Sequence, residues 1–267
     1  MEKQYIKITV VLALVFAFAP SSAFAYKLKK TEYGKHILWS SKKIAIRITP
    51  EVQELLGVDV ADTATTVGAE AWRGYPNVPD LVTEPGEAEG SEHQSGVPIV
   101  GVRVGTPWAY KPNNLAVTVT TYNEVTGQIL KADVLLNRNS PFKLVDEQLD
   151  EADKSDKYDI EAVLIHEFGH LLGLQDNADD PTATMWPIIE PGETSKRSLE
   201  EDDQQGVIAA YAKGLAPSTS KSEAAVACQP MSVTGFTRRP ANLELAVFSL
   251  IILSLARRGF RRPRRNR

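Results

Sequence analysis

The segment HEFGHLLGLQD, residues 166–176, constrains this chain more than any other feature. His166 and His170 are four residues apart, and helical residues at this spacing differ by about 40° around the axis and lie one turn apart. Both imidazoles therefore face the same point. The surrounding sequence YDIEAVLIHEFGHLLGL carries apolar residues at helical spacing, which predicts a mostly buried helix that ends near Gly173.

This histidine pair is suited to binding a metal ion. Two imidazoles at this spacing can ligate one zinc ion, and Glu167 beside them can take a proton from a zinc-bound water without ligating the metal. Gly173 can adopt the positive φ that reverses the chain, which makes Asp176 a candidate third ligand. The alternatives are a helix with two surface histidines, and a turn or capping role for Asp176.

The residues that follow extend the motif into a family resemblance. HEFGHLLGLQDNADDPTATMWP resembles the zinc-binding consensus of the metzincin metallopeptidases, HExxHxxGxxH or HExxHxxGxxD, followed by a Met-turn at ATMWP. DDPTATMWP and the later LEEDDQQGVIAAY are most similar to the matrixin branch of these enzymes. The resemblance covers residues 42–211, is specific from Glu161 onward, and is architectural before that point.

The resemblance implies a zinc-dependent endopeptidase that acts on proteins or peptides. Its zinc ligands would be His166, His170 and Asp176, and Glu167 would be the general base that activates a zinc-bound water. The alternative is a non-catalytic, membrane-tethered, zinc-containing binding module. Glu167 favours the enzyme, since a purely structural zinc does not need that carboxylate.

Further positions correspond to structural features of the family. Met185 matches the Met-turn residue under the metal. Asp202 and Asp203 match a structural pair, although a solvated helix start favoured by the dipole explains them equally well. By the same resemblance, an apolar primary specificity pocket is lined by Pro187, Ile188 and Ile189.

Several features depart from the matrixin pattern. The third ligand of matrixins is usually histidine, and aspartate in that place is similar to the snapalysin-type secreted enzymes of bacteria. No cysteine precedes the zinc motif, so cysteine-switch latency is not expected. Only His36 and His93 remain for a second zinc, and His93 is interpreted as an exposed loop histidine. The acidic loops are candidates for calcium binding, without an EF-hand pattern.

The coarse secondary-structure pattern agrees with an α+β fold of the metzincin (zincin-like) type. Besides the histidine helix, helices are predicted at 62–73, capped by Asp62, and at 199–212, capped by Ser198. Residues 76–98 predict an acidic loop. Strands are predicted at 42–49, 99–105, 115–123 and 129–137. We expect a twisted, mixed, mostly parallel sheet with a long zinc-binding helix, a C-terminal helix, and an extended substrate added near residues 132–139.

The N-terminus has the pattern of a secretory signal. Lys3 and Lys7 precede the apolar run ITVVLALVFAFA, and small residues flank Phe24. These features predict a signal peptide over residues 1–25 with cleavage before Tyr26. A retained membrane anchor is the alternative, although the apolar run is shorter than the ~20 residues of a membrane span.

The C-terminus has a linker composition over 214–240, followed by a short hydrophobic segment and an arginine-rich tail over 241–267. With the lone Cys228, this arrangement resembles C-terminal sorting signals of Gram-negative bacteria and implies membrane contact, with processing at or near Cys228. A free exposed thiol is the alternative. We expect an N-terminal extension over 26–41, a catalytic domain over 42–213, and a location in the periplasm, at the cell surface or outside the cell.

The charge distribution argues against one class of partner. The chain has a net charge of −4, and without residues 1–25 (net +1) and 240–267 (net +6) the remainder carries −11. An acidic body gives no electrostatic support for nucleic-acid binding. The single cysteine cannot form an intramolecular disulfide, and the oligomeric state is not specified by any pattern in the sequence.

Overall fold

A computed structural model describes most of the chain between residues 25 and 233. The described ranges are 25–86, 97–146, 149–218 and 224–233. The predicted signal peptide up to residue 24, His93, and the predicted tail lie outside them. None of the helices in these ranges is long and apolar enough to cross a membrane.

The described residues form nine strands. They are β1 (Lys43–Ile48), β2 (Asp80–Thr83), β3 (Ile99–Gly105), β4 (Asn114–Asn123), β5 (Ile129–Asn137), β6 (Phe142–Lys143), β7 (Tyr158–Asp159), β8 (Ile188–Ile189) and β9 (Ala224–Val233). Seven of them make one mixed sheet in the order β2-β1-β3-β5-β4-β9-β8, while β6 and β7 pair separately. β2, β1, β3 and β5 are mutually parallel, β4 is antiparallel to β5 and to β9, and β8 is parallel to β9.

The described ranges contain five α-helices and a short 3₁₀ helix (Ser195–Arg197). The α-helices are α1 (Pro50–Leu56), α2 (Val58–Ala71), α3 (Glu151–Lys154), α4 (Ile160–Leu171) and α5 (Glu201–Tyr211). α2 packs on β1, β2 and α4, and α4 also packs on β4. Large aromatic side chains, among them Trp39, Trp72 and Phe168, are buried in this core. The core therefore fixes the histidine helix, α4, against the antiparallel strand of the sheet.

The predicted fold class is confirmed. The sheet is mixed and mostly parallel, α4 carries the histidine pair, and α5 is the C-terminal helix. β3 and β5 have the predicted bounds, and β1 and β4 agree within one residue at each end. These elements were accessible from the sequence because alternating and helical apolar periods are local properties of the chain.

Two predicted helix starts are wrong because other residues cap the helices. α2 begins after Gly57, and Asp62 is an exposed residue inside the helix. α1, which precedes α2, is absent from the prediction. α5 begins after Glu200 rather than Ser198, and the side chains of Glu200 and Asp203 form a reciprocal capping box with the backbone.

Two stretches predicted without regular structure contribute strands. β2 lies within the predicted acidic loop and pairs with β1. β9 lies within the predicted linker, 214–240, and pairs along the whole length of β4. Small residues and a proline give β9 no strand-like alternation, so its conformation comes from the neighbouring strand rather than from intrinsic preference.

The predicted position of an added substrate strand is also wrong. Residues 132–137 belong to β5, which is bonded to β3 on one side and to β4 on the other, so β5 has no free edge. Among β1 to β5 the outer strands are β2 and β4, and β9 covers the edge of β4.

Candidate metal centre

The start of the histidine helix α4 is fixed by a buried carboxylate. Asp159 is the N-cap, and its Oδ1 accepts a hydrogen bond from the backbone N–H of Ala162 at 2.8 Å. The Arg197 guanidinium donates to the same oxygen at 2.9 Å and pairs with Glu161 at 2.8 Å. Because Asp159 has no exposed surface, Arg197 provides the compensating charge.

Both histidines of α4 are held in one orientation by backbone carbonyls. His166 Nδ1 lies 2.8 Å from the Thr184 carbonyl oxygen, and His170 Nδ1 lies 3.0 Å from that of Leu174. A carbonyl can only accept, so each Nδ1 carries the proton and donates it. Each Nε2 is then left with a free lone pair, which is the form that ligates a metal.

Gly173 turns the chain back toward the two histidines. Its φ is +98°, its N–H donates to the His170 carbonyl, and the Leu174 N–H donates to the Gly169 carbonyl, both at 3.1 Å. These two bonds form a Schellman motif. A Cβ at Gly173 would lie 2.6 Å from the Ile37 carbonyl oxygen, so a side chain is excluded by space as well as by φ.

The turn at Gly173 places Asp176 beside both imidazoles. Its Oδ1 is 3.4 Å from His166 Nε2 and 3.2 Å from His170 Nε2. None of these three atoms has another hydrogen-bond partner among the described residues. With both Nδ1 atoms protonated, the three facing atoms present lone pairs to one another, and a shared cation resolves that repulsion. Two imidazole nitrogens and one carboxylate oxygen fit zinc.

Glu167 lies beside this group without joining it. The Thr118 hydroxyl donates to Glu167 Oε2 at 2.5 Å, whereas Oε1 has no partner among the described residues. Burial raises the pKa of Glu167 to about 7, against the opposing effects of His166 and of the Thr118 hydroxyl. The carboxyl group is therefore anchored at one oxygen and available for proton transfer at the other.

The pKa values of the three ligand candidates reflect burial and mutual contact. Burial lowers the pKa of His170 to about 4, and His166 acts in the same direction. For His166, burial also acts to lower the pKa, but the contact with Asp176 outweighs it and the net shift is upward. Burial would raise the pKa of Asp176, yet the two imidazoles hold it below its usual range. The shifts of His170 and Asp176 favour the lone-pair nitrogen and the carboxylate that a metal needs, whereas His166 favours a proton beside Asp176, in the place that a bound metal would take.

Met185 lies directly against the histidine helix. Its sulfur packs on the Gly169 backbone so closely that a Cβ at Gly169 would overlap it. The Met185 N–H donates to Asp203 Oδ1 at 3.0 Å, and its carbonyl accepts from the Asn177 N–H at 2.8 Å. These contacts place Met185 against the helix beside His170, and its role as the Met-turn residue stays a prediction.

Residues 111–212 match the family model of the matrixins. This domain is matrixin-like. Over 57 residues, 21% of the chain, it is 46% identical to neutrophil collagenase of Homo sapiens, covering 12% of that protein. It is 43% identical over 56 residues to matrix metalloproteinase-16 of Rattus norvegicus, which covers 21% of this chain and 9% of that protein. It is 44% identical over 54 residues to metalloendoproteinase 1 of Glycine max, which covers 20% of this chain and 17% of that protein. The chain spans less than a fifth of the length of these curated relatives.

The acidic pair of the matrixin-like domain is structural. Asp203 Oδ2 accepts from the Thr184 N–H at 2.7 Å and from the Glu200 N–H at 3.0 Å, which holds the turn that carries Met185. Asp202 accepts from Asn177 Nδ2 at 2.8 Å. Both carboxylates are buried, so the alternative of a solvated helix start is wrong.

Two contacts from the N-terminal residues complete the site, and neither was predicted. The buried Lys29 ammonium donates to the His170 carbonyl at 3.1 Å, and the Trp39 indole N–H donates to the Leu171 carbonyl at 2.9 Å. They satisfy carbonyls at the C-terminal end of α4, where a cation is also favoured by the helix dipole. The predicted N-terminal extension, 26–41, therefore belongs to the packed domain.

The predicted specificity-pocket residues lie next to β9. Ile188 and Ile189 form β8, which pairs with Ser232 and Val233 of β9. Ile189 is fully buried, while Pro187 and Ile188 are partly exposed. Their role in specificity stays a prediction.

A second metal group is not found in the described part of the matrixin-like domain. His166, His170 and Asp176 are its single cluster of three or more histidine, cysteine, aspartate or glutamate side chains that could hold an ion. His36 is partly buried and belongs to no such group. Calcium binding stays a prediction.

Proposed function

We propose that this protein is an exported zinc-dependent endopeptidase. One observation carries the proposal: three buried ligand atoms without hydrogen-bond partners converge beside the free Oε1 of Glu167. A binding site that needed only a structural metal would have no use for an unpartnered, buried carboxylate oxygen at the metal. The likeness to matrixins supports the same reaction class.

The proposed roles follow from the geometry. His166 Nε2, His170 Nε2 and Asp176 Oδ1 would hold zinc, which when bound polarises a scissile carbonyl and lowers the pKa of water. Glu167 accepts a proton at Oε1 while Thr118 keeps Oε2 in place, and it then returns the proton to the leaving amine. The Schellman turn at Gly173 sets the distance between the third ligand and the histidines.

The first test separates zinc binding from cleavage. Wild type, Glu167→Gln and Asp176→Ala are compared for zinc stoichiometry, by competition with a chromophoric chelator, and for hydrolysis of a denatured protein in long incubations. We expect one zinc per wild-type chain, the same affinity in Glu167→Gln with at least a 100-fold slower hydrolysis, and a strongly reduced affinity in Asp176→Ala.

Glu201→Gln is the matched control, because Glu201 is an exposed glutamate at the start of α5. It should match the wild type in both measurements. A wild-type chain that binds one zinc and cleaves no peptide bond would reject the peptidase and favour the non-catalytic binding module. An unchanged zinc affinity in Asp176→Ala would remove Asp176 from the site.

Export and membrane contact are also proposed, on the sequence pattern of the two ends. The backbone nitrogens of Ala25 and Tyr26 lie 2.5 Å and 3.1 Å from Asp202 Oδ1, so cleavage before either residue would place a new ammonium group against a buried carboxylate. These contacts support cleavage in this region, which includes the predicted point before Tyr26. Mass spectrometry of the mature protein tests both ends: a chain that still begins at Met1 rejects the signal peptide, and one that still ends at Arg267 rejects processing near Cys228.

A further inference from the structure

Strand β9 lies between two elements that border the metal centre. It runs antiparallel to β4 from Asn123 to Asn114, and parallel to β8 at Ser232 and Val233. It also packs against α4, the helix that carries both histidines. β9 therefore fills a groove whose walls are β4 and β8 and whose floor is the histidine helix.

The register places the middle of β9 at the reacting group. Gln229 is paired with Thr118, and Thr118 is the residue that donates to Glu167 Oε2. The neighbouring Cys228 is paired with Val119. While β9 is in place, Glu167 and His166 have no exposed surface. A general base that acts on a substrate needs access from outside, so the observed arrangement is closed.

One side chain anchors β9 in the groove. Met231 is fully buried and belongs to the hydrophobic core, next to the β9 residues that pair with β8. Its backbone is paired with Ala116, which is also buried. An extended segment with one buried apolar side chain is the way in which a peptide binds to the edge of a sheet, with backbone hydrogen bonds for affinity and a pocket for selectivity.

The composition of β9 is suited to reversible binding. Its sequence, AAVACQPMSV, is dominated by small residues, a type that has little apolar area to bury. Pro230 cannot donate a backbone hydrogen bond, and it lies where β9 is paired on one side only, which is a position that strands tolerate for proline. β8 contributes only two residues to the other wall. β9 is therefore held mainly by its backbone pairing with β4 and by Met231.

We propose that residues 224–233 occupy the groove between β4 and β8 in the resting chain as an intramolecular competitor of an extended substrate. This inference rests on the proposed peptidase function for its effect on catalysis, but not for its prediction of peptide binding. A substrate and β9 exclude each other, because both need the same backbone groups of β4. The enzyme is then latent until β9 leaves the groove.

The direct test opens the groove in the full mature chain. Ala227→Pro combined with Gln229→Pro removes two backbone N–H groups from β9, whereas the control Ala227→Ser with Gln229→Asn keeps both. We expect the proline variant to hydrolyse a short peptide substrate at least tenfold faster at low substrate concentration, and the control to match the wild type. Equal rates in all three chains, with zinc bound, would overturn the inference and leave the peptidase intact.

A second measurement avoids activity altogether. A fluorescein-labelled peptide with the sequence AAVACQPMSV is titrated into the zinc-loaded proline variant that also carries Glu167→Gln, with a scrambled peptide as control. We expect saturable binding of the native sequence only. Binding without hydrolysis in the active-site-intact variant would uphold the groove and reject the peptidase function. Absence of binding to a zinc-loaded, folded variant would overturn the groove.

A third measurement needs no change in β9, in case the proline variant does not fold. Hydrogen exchange is followed by mass spectrometry in the Glu167→Gln chain, with and without a saturating extended peptide. We expect the amides of residues 224–233 to lose protection when the peptide binds, while β4 stays protected because one strand replaces another. Unchanged protection of 224–233 with the peptide bound would overturn the inference.

Discussion

Asp203 links the Met185 turn to the metal centre. Its replacement by asparagine should lower both the stability of the fold and the affinity for zinc. The carboxylate accepts three backbone hydrogen bonds: two at Oδ2, from Thr184 and Glu200, and one at Oδ1, from Met185. Asparagine offers one acceptor oxygen. If that oxygen takes the place of Oδ2, the side-chain NH₂ faces the Met185 N–H, and two donors oppose each other in a buried site.

The expected change in the free energy of unfolding has two parts: the loss of one hydrogen bond to a charged acceptor, and the removal of one buried charge. A hydrogen bond to a charged acceptor contributes about 1.5–3 kcal/mol, and the Met185 N–H left unsatisfied adds about 1–3 kcal/mol. Burial raises the pKa of Asp203, so part of that cost is offset when the neutral amide replaces the buried charge. We therefore expect Asp203→Asn to lower the free energy of unfolding by about 2 kcal/mol, or roughly 4–8 °C in Tm.

The same substitution should also weaken zinc binding, because it affects the carbonyl that orients one of the ligands. The Thr184 carbonyl holds the Nδ1 of His166, while the Thr184 N–H is held by Asp203. Loosening groups that orient a ligand typically costs about 10-fold to 100-fold in metal affinity. We expect about tenfold weaker zinc binding in Asp203→Asn, measured by chelator competition.

Urea unfolding with EDTA present separates intrinsic stability from the stabilisation that bound zinc adds. Glu201→Gln is the matched control, an exposed carboxylate two residues away on the same helix, and it should change the free energy of unfolding by less than about 0.5 kcal/mol. The reasoning is refuted if Asp203→Asn has the stability of Glu201→Gln and the zinc affinity of the wild type.

Three further substitutions test the turn, the ion pair and the ligand that build the site, and each is measured by urea unfolding of the metal-free chain. Gly173→Ala should cost at least about 2 kcal/mol more than Gly34→Ala: both glycines have positive φ, but only a Cβ at Gly173 meets a backbone oxygen. Arg197→Met should cost about 3 kcal/mol by leaving a buried carboxylate unpaired, whereas Lys27→Met, at an exposed ion pair, should cost under about 1 kcal/mol. Asp176→Asn should lower zinc affinity at least tenfold and should also lower the stability of the metal-free chain, because the two imidazoles stabilise the ionised carboxylate of Asp176; an unchanged zinc affinity would contradict its assignment as a ligand.

The part of the site that the sequence predicts is the part that is local. His166, Glu167 and His170 share one helix, and Gly173 with Asp176 form the turn that follows it. Helical spacing and the φ preference of glycine fix the relative positions of such residues without reference to the rest of the chain.

The supporting residues could not be placed in the same way, because their contacts span large sequence separations. Thr118 is 49 residues from Glu167, and Lys29 is 141 residues from His170. Periodicity indicates which face of β4 is buried, but it does not say which helix covers that face. Thr118 lies on the β4 face of Ala116 and Thr120, opposite the apolar Leu115, Val117 and Val119, so no sequence pattern indicated its burial.

The strand assignment of residues 224–233 failed for a different reason. Their small side chains and proline have low intrinsic strand preference, and the composition is that of a linker. They form a strand because the edge of β4 would be unpaired without them. That edge offers a row of backbone donors and acceptors to an extended segment. A sequence pattern describes the segment and not the edge, so such a strand is visible only in the structure.

Asp176 shows why the metal centre is a poor arrangement without its metal and a good one with it. Two imidazole lone pairs and a carboxylate oxygen face each other at 3.2–3.4 Å, next to the buried and partly unpartnered Glu167. A fold selected only for stability would place hydrogen-bond donors among these acceptors. The arrangement persists because the Nδ1 carbonyl bonds, the Gly173 turn and the Asp203 contacts determine it from outside. Sites that break local rules in this way are expected where function requires them.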